Sequence, residues 1–457
     1  MRHPLFMIVL LLCPFCFMAC GKEFLEKKPN KAQVVPESIG DLQALLDSYG
    51  FIDLLASGEL ASIAADDFFS FEPDLAVYVI PVKNTYFWEK DMYGGYPTLR
   101  GWNSPYQAIF YANVVLEGLS RLSPAPHEQA AYDHAKAMAL YYRGYAMYIL
   151  LQGFSAPYTA ATAASMPGVP IRSGADVNEV AARSSQEACY QYLINQLEAA
   201  IPLLPDHVTT TWRPRKVSAY SMLVRTYLAM ENYERAEYYA DLSLAAASEL
   251  LDFNTLNENL ARPFPMGDMG VNPEVLQFEH AAEFGYASNA WVDSALYNLY
   301  QPNDRRKVCY FNARNGYYIF KGSYSGGSSA MAGPCTDEMY LAKAECLARR
   351  NSVQPAMDTL NALLRKRYVT NTLVPLTAAT GDEALGIILV ERRKELVGRA
   401  IRWHDLRRLN KDSRFATTLR RIRSNGSIVE LPPGNPRYTF PIPEQEVEKS
   451  GIEQNPR

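Results

Sequence analysis

Between Pro214 and Leu244 the sequence PRKVSAYSMLVRTYLAMENYERAEYYADLSL carries apolar side chains at three- and four-residue intervals on both sides of Glu231-Asn232. That period predicts two amphipathic helices joined by a tight break, with Pro214 suited to a first turn. Tyr220, Leu223, Tyr227 and Ala236 fall at the offsets of the tetratricopeptide pattern, with Val224 where that pattern places glycine. A second set, Tyr340, Ala344, Leu347 and Ala356, follows in EMYLAKAECLARRNSVQPAMDTLNALL, and a partial one, Leu140, Gly144 and Met147, precedes both. The expected fold is mainly α: a tetratricopeptide-like helical scaffold with irregular loop insertions, because a regular solenoid would keep its period.

Three segments break the helical rhythm: residues 66–101, 154–180 and 301–334. The first and third mix aromatic residues with glycine and polar groups, and neither sustains a helical period. Loops on a rigid scaffold are free to carry function, so candidate binding residues are sought there. Further on, one helix is expected from Ile387 to Leu409. Its Leu389, Leu396, Ile401, Trp403 and Leu406 would face the core, while Glu391, Arg392, Glu395, Arg402 and Arg407 form a structural ion network in which Asp405 partners an arginine.

The amino terminus reads differently. Arg2 and His3 precede an apolar run from Leu5 to Phe17, too short to cross about 30 Å of hydrocarbon, so it is expected to be a signal peptide. Ala19 directly before Cys20 resembles the lipobox of bacterial lipoproteins, and Lys22-Glu23 resembles a tag for the outer leaflet. In that reading residues 1–19 are removed and Cys20 is acylated (palmitate or a similar chain), which tethers the protein without spanning the membrane.

Composition adds exclusions. The 457 residues are 48% hydrophobic and 21% charged, and the formal charge of −4 becomes −5 once Arg2 leaves, which demotes nucleic acid as a partner. No linker-like segment divides the chain, so residues 20–457 are expected to form one domain, with an N-terminal helical-repeat part (20–250) and a C-terminal part bearing insertions (251–457). Cys189, Cys309, Cys335 and Cys346 show no CxxC spacing, and Cys335 and Cys346 on one helix would lie about 16 Å apart. They are expected to be buried free thiols.

No catalytic constellation emerges, and no enzyme activity, cofactor or metal is expected. The six histidines include no H-E-x-x-H, and the nearest approach to G-x-S-x-G, Gly322-Ser323-Tyr324-Ser325-Gly326, has tyrosine where the nucleophile belongs. Asp66, Asp67, Glu72, Asp74, Glu89 and Asp91 offer carboxylates for a glycoside-hydrolase alternative. Binding is the stronger reading: 30 tyrosines against 19 phenylalanines point to rings that use a polar tip as well as a face. The candidate ligand-binding residues are Tyr86, Trp88, Tyr93 and Tyr96 in the first loop and Tyr317, Tyr318 and Tyr324 in the later one. Trp102 and Trp291 are assigned to helix packing.

Several segments together resemble one family. They are Cys20–Gln33 after the lipobox, Ala135–Gln152, Glu391–Leu396 (ERRKEL) followed by Arg402-Trp403 and Asp405–Arg408, and the closing FPIPEQEVEKSGIEQNP from Phe440 to Pro456. The chain is identified on these segments as a member of the SusD/RagB family of surface nutrient-binding lipoproteins. The resemblance implies a protein anchored in the outer membrane and facing the cell exterior. It would bind an oligosaccharide, or a peptide as some members do, and deliver it to a TonB-dependent SusC-type transporter. Arg399-Ala400 departs from the family's Glu-Gly; a local ion pair is expected to be lost and the helix to continue, since alanine favours it.

Overall fold

The computed structural model describes residues 36–457, apart from 57, 59, 97–98 and 282–285. The leader and Cys20 lie outside the described residues.

Helices dominate. The long Arg100–Ser120 and Gln129–Phe154 helices pack side by side, and Gln186–Ala200 lies against the second. The hairpin expected from periodicity is present as Lys216–Ala229 and Tyr233–Ala246. Its break sits where expected. Glu231 takes a left-handed φ of 58°, and the Asn232 side chain accepts from the Arg235 amide, capping the second helix. Pro214 lies just before the first helix rather than inside its first turn. Ala236 is fully buried and lets the helices approach, while the Tyr227 ring stacks on Tyr239 at 5.8 Å and 7°. The Thr336–Arg349 and Val353–Leu364 helices form the second repeat-like pair, and Thr336–Arg349 packs directly on Tyr233–Ala246. The chain thus leaves the helical stack after residue 246 and rejoins it at 336. That excursion explains the irregular repeat spacing.

The expected single helix over Ile387–Leu409 is two: Gly381–Glu395 and Arg402–Leu409. Gly398 has φ 70° and Ala400 φ 55°, both left-handed, so the helix stops and restarts. Alanine at position 400 therefore does not extend a helix; it occupies a conformation that glycine tolerates better. Arg399 finds a remote partner in place of a local one: it is buried 3.6 Å from Asp337 with its guanidinium over the Tyr324 ring.

The charge run forms an ion network, as expected, and that network is buried; Arg407 is the exception, donating to the carbonyls of Gln152 and Ser155. Arg306 is held by Asp304 (2.7 Å), Glu391 (2.6 Å) and Glu395 (2.9 Å), and Arg367 by Glu274 (2.8 Å) and Glu395 (2.6 Å). Asp405 accepts from Arg392 at 2.8 Å and from Arg408 at 3.0 Å. The closing segment is equally fixed. Trp403 stacks on Phe440 at 5.5 Å, Gln454 exchanges two hydrogen bonds with the Ile442 backbone, and the Asn455 amide donates to the carbonyls of Phe154 and Phe440. These contacts tie the carboxyl end to the long helices. The four described cysteines are buried and free, and Trp102 packs edge-on against Phe154.

The insertions are not devoid of order. Residues 66–101 contain a 3₁₀ helix at Glu72–Val77 and an α-helix at Ile80–Tyr86. Four small antiparallel pairs occur among the described residues: β1 (Phe68–Phe69) with β4 (Trp291–Val292), β2 (Pro167–Pro170) with β3 (Arg183–Ser185), β5 (Phe311–Arg314) with β6 (Tyr317–Phe320), and β7 (Leu419–Ile422) with β8 (Ile428–Leu431).

Candidate ligand-binding site

The insertions converge on one exposed cluster of rings. In the β1–β4 pair, Phe68 lies opposite Val292 and Phe69 opposite Trp291. Side chains alternate faces along a strand, so Phe68 and Val292, each 2% exposed, enter the core while Phe69 and Trp291 turn outward. The β5–β6 hairpin turns through Asn315-Gly316, both with positive φ, the sequence and geometry that suit a two-residue turn. That turn brings Arg314 opposite Tyr317.

Phe69, Phe71 and Tyr317 form a triangle of edge-to-face contacts with every centroid separation 5.6 Å, and Trp291 adjoins Tyr317 at 5.5 Å. Phe71 is 45% exposed and Tyr317 37%. The Arg314 guanidinium lies 5.4 Å from the Trp291 ring, and the indole N–H points to Asp74 Oδ2 at 3.4 Å. Beside this platform Tyr318, half-buried, stacks on Tyr297 at 3.5 Å, with Lys307 Nζ over the second ring. Four rings flanked by a cation and a carboxylate offer apolar faces and directed polar groups to the same ligand.

Of the seven rings named from sequence, Tyr317 stands in this cluster and Tyr318 behind it. Tyr96 is 39% exposed and takes no part in the ring contacts of the cluster. Tyr86, Trp88, Tyr93 and Tyr324 are buried and present no face to solvent, which corrects their choice as contact residues. The Tyr86 hydroxyl donates to the Ser70 carbonyl and accepts from its amide; Trp88 Nε1 donates to the Ala64 carbonyl; the Tyr93 hydroxyl donates to the Pro441 carbonyl; the Tyr324 hydroxyl donates to Glu274 at 2.8 Å. Their polar tips serve the backbone and the ion network. Trp291 is also corrected: it belongs to a strand, not to helix packing. Phe69 and Phe71 lie outside the tyrosines and tryptophan expected from sequence, because a phenylalanine has no polar tip to mark it as a ligand contact. The F-F-S-F alternation was the available signal.

The acidic residues of the first loop are engaged. Asp66 pairs with Arg402 (2.7 Å) and Arg393 (3.1 Å), and these cations outweigh burial and hold its carboxyl well below the usual range. Asp67 is more completely buried, and desolvation pushes it up to about 7 although Arg393 lies 3.6 Å away. Glu72 accepts from the Ser424 amide, Glu89 pairs with Arg423, and Asp91 accepts from the amides of Tyr93 and Gly94. Asp74 alone of the six meets the platform. In the Gly322–Gly326 segment the two serine hydroxyls are 2.9 Å apart and both donate to the Ser329 carbonyl.

Glu274, Asp337 and Glu395 each place a carboxylate oxygen within 4.8 Å of the others, the spacing of a metal site. Arg367 already bridges Glu274 and Glu395, and Arg399 faces Asp337. A cation there would have to displace guanidinium groups, so the cluster reads as counter-charged structure. Burial raises Asp337 to about 7.

Two family models match the chain: a SusD-like model, described as starch-binding and associating with the outer membrane, over residues 23–228, and the SusD family model over residues 282–457. The chain belongs to the SusD/RagB family. Solved SusD structures share the fold. A SusD superfamily protein from Bacteroides thetaiotaomicron is 19% identical, with a TM-score of 0.71 over 92% of this chain and 98% of its own. A SusD-like carbohydrate binding protein from Bacteroides vulgatus is 18% identical, with a TM-score of 0.67 over 91% and 97%. A laminarin-binding SusD-like protein is 17% identical, with a TM-score of 0.64 over 92% and 98%. No curated protein matches. No helix among the described residues of this SusD/RagB member is long and apolar enough to cross a membrane.

Proposed function

We propose that this SusD/RagB protein is a lipid-anchored, surface-exposed receptor. It binds oligosaccharide on the Phe69–Phe71–Trp291–Tyr317 platform and passes it, unreacted, to a TonB-dependent SusC-type transporter. The observation that carries the reading is the exposed ring cluster itself. Sugar rings lay their C–H faces on aromatics while hydroxyls seek groups such as Arg314 and Asp74. The laminarin-binding and carbohydrate-binding neighbours support a glycan over a peptide. Catalysis is not part of the proposal, because Asp66 and Asp67 are locked against Arg393 and Arg402. Residues 20–457 act as one unit tethered at Cys20.

A glycan array and a peptide pool titrated against residues 21–457 test this. Oligosaccharide binding that is weakened by Trp291→Ala is the expected result; peptide binding alone, or turnover of a labelled oligosaccharide, overturns it. Co-purification of the native lipoprotein with an outer-membrane β-barrel transporter tests the delivery step.

A further inference from the structure

A second face of the molecule carries the same chemistry in a different geometry. Along the Arg100–Ser120 helix, Asn103, Tyr106, Gln107, Phe110 and Asn113 stand at i, i+3, i+4, i+7 and i+10, so they line one stripe of the helix. The stripe alternates amide and ring. It forms the floor of an open groove of about 250 Å³, walled by the chain after β2 and by the Glu444–Ser450 helix, just below the size usual for drug-sized ligands (about 300–1,000 Å³). Asn103 and Gln107 are exposed, and Tyr106 and Phe110 are half-buried. Such residues present both a face and a donor to whatever enters.

The groove is built, not incidental. Its wall is fastened by the Asn113 amide, which donates to the carbonyls of Gly174 (2.7 Å) and Arg172 (3.3 Å), and by Glu117, which accepts from the Ala175 amide at 2.7 Å. The Tyr106 hydroxyl donates to the Pro170 carbonyl at 2.9 Å, and its ring leans on Trp102 at 5.0 Å, so the phenol is held in place where it lines the groove. Asn113 is 1% exposed, and its Oδ1 has no hydrogen-bond partner, an uncommon state for a buried amide. Arg172 and Glu446 both line the groove, and neither forms an ion pair among the described residues. No residue of the groove belongs to the aromatic platform.

We propose that this groove is a second oligosaccharide-binding site, in which Tyr106 and Phe110 stack on sugar rings while Asn103, Gln107, Arg172 and Glu446 bond to hydroxyls. The proposal takes its ligand class from the oligosaccharide reading of the platform, and its geometry from the groove alone.

Isothermal titration of residues 21–457 with maltoheptaose, laminarihexaose, xylohexaose and mannohexaose decides it, using Trp291→Ala/Tyr317→Ala, Gln107→Ala/Phe110→Ala and the fourfold variant. All substituted side chains are at least partly exposed, and unchanged thermal melting confirms that the variants fold. Two sites per chain are expected in the parent, one in each double variant and none in the fourfold variant. A single site that is lost with Trp291→Ala/Tyr317→Ala and untouched by Gln107→Ala/Phe110→Ala overturns the groove and leaves the platform standing. The converse pattern keeps the groove and removes the platform. Silence of the parent toward all four sugars overturns both.

Discussion

Trp291 faces Phe69 across a strand pair only two residues long, and the Tyr317 ring closes on both from the neighbouring hairpin at 5.5 and 5.6 Å. Three distant segments of chain supply this surface, and its rings are held by each other more than by the core. Truncating one ring should therefore affect ligand more than fold. Trp291→Ala is expected to weaken oligosaccharide binding at least tenfold, about 1.4 kcal/mol, while changing unfolding free energy by under about 1 kcal/mol. Titration calorimetry and urea melts on the same preparations check both halves.

Arg367 is the opposite case. It is wholly buried and neutralises Glu274 and Glu395 together, so Arg367→Ala leaves the buried Glu274 carboxylate with hydrogen bonds but no cation, and Glu395 with Arg306 alone. The expected loss is about 3–5 kcal/mol. The double variant Arg367→Met/Glu274→Gln should recover part of that loss, since it removes charge as well as partner. Equal stability of the two variants in guanidinium titration would contradict the ion-network reading.

Gly58 and Ala400 meet back to back. A Cβ on Gly58 would stand 2.3 Å from the Ala400 Cβ, and both residues have positive φ. Gly58→Ala should thus be strongly destabilising in the parent and less so in an Ala400→Gly background. The coupling in a double-mutant cycle is expected at about 1–3 kcal/mol. Ala400→Gly alone is expected to be tolerated, because glycine loses nothing by a left-handed φ. Additivity would show that the two positions do not touch.

His404 sits against the Tyr148 hydroxyl at 3.2 Å, and burial, reinforced by Arg407, lowers its pKa to about 3. The unfolded chain takes up a proton near 6.5 and the folded chain does not until about 3. The stability tied to neutral His404 is therefore complete above pH 6.5 and drains away as pH falls through that window. Between pH 7 and 5 the loss is about 2 kcal/mol. Asp67 and Asp337, both raised to about 7, act in the other direction, favouring the fold as pH falls. The measurement is accordingly a difference: from pH 7 to pH 5 the unfolding free energy of His404→Asn should rise relative to that of the parent by about 2 kcal/mol, and parallel profiles would refute the assignment.

Cys20→Ser is expected to move the protein from the membrane fraction to the soluble fraction of its host, with the mass of the purified parent exceeding that of the bare chain from residue 20 by its acyl groups.

Periodicity alone locates the hairpin around Glu231-Asn232, the second pair at Thr336–Leu364 and the pairing of the ERRKEL charges, though not their burial, because each is a local property: which side of a helix is apolar, which residue can cap, which charges lie a turn apart. Exposure of a ring is not local. Tyr86 and Tyr317 read alike in sequence, yet one is 2% exposed and the other 37%, since the difference rests on which remote segments pack over each. The helix break at Gly398–Ala400 was likewise invisible to propensity, because the burial of Arg399 beside Asp337 and Tyr324 outweighs alanine's preference for helix. Sequence determined the scaffold and the residue types able to grip a sugar. Tertiary packing decided which of those rings reach water, because that depends on contacts between segments hundreds of positions apart.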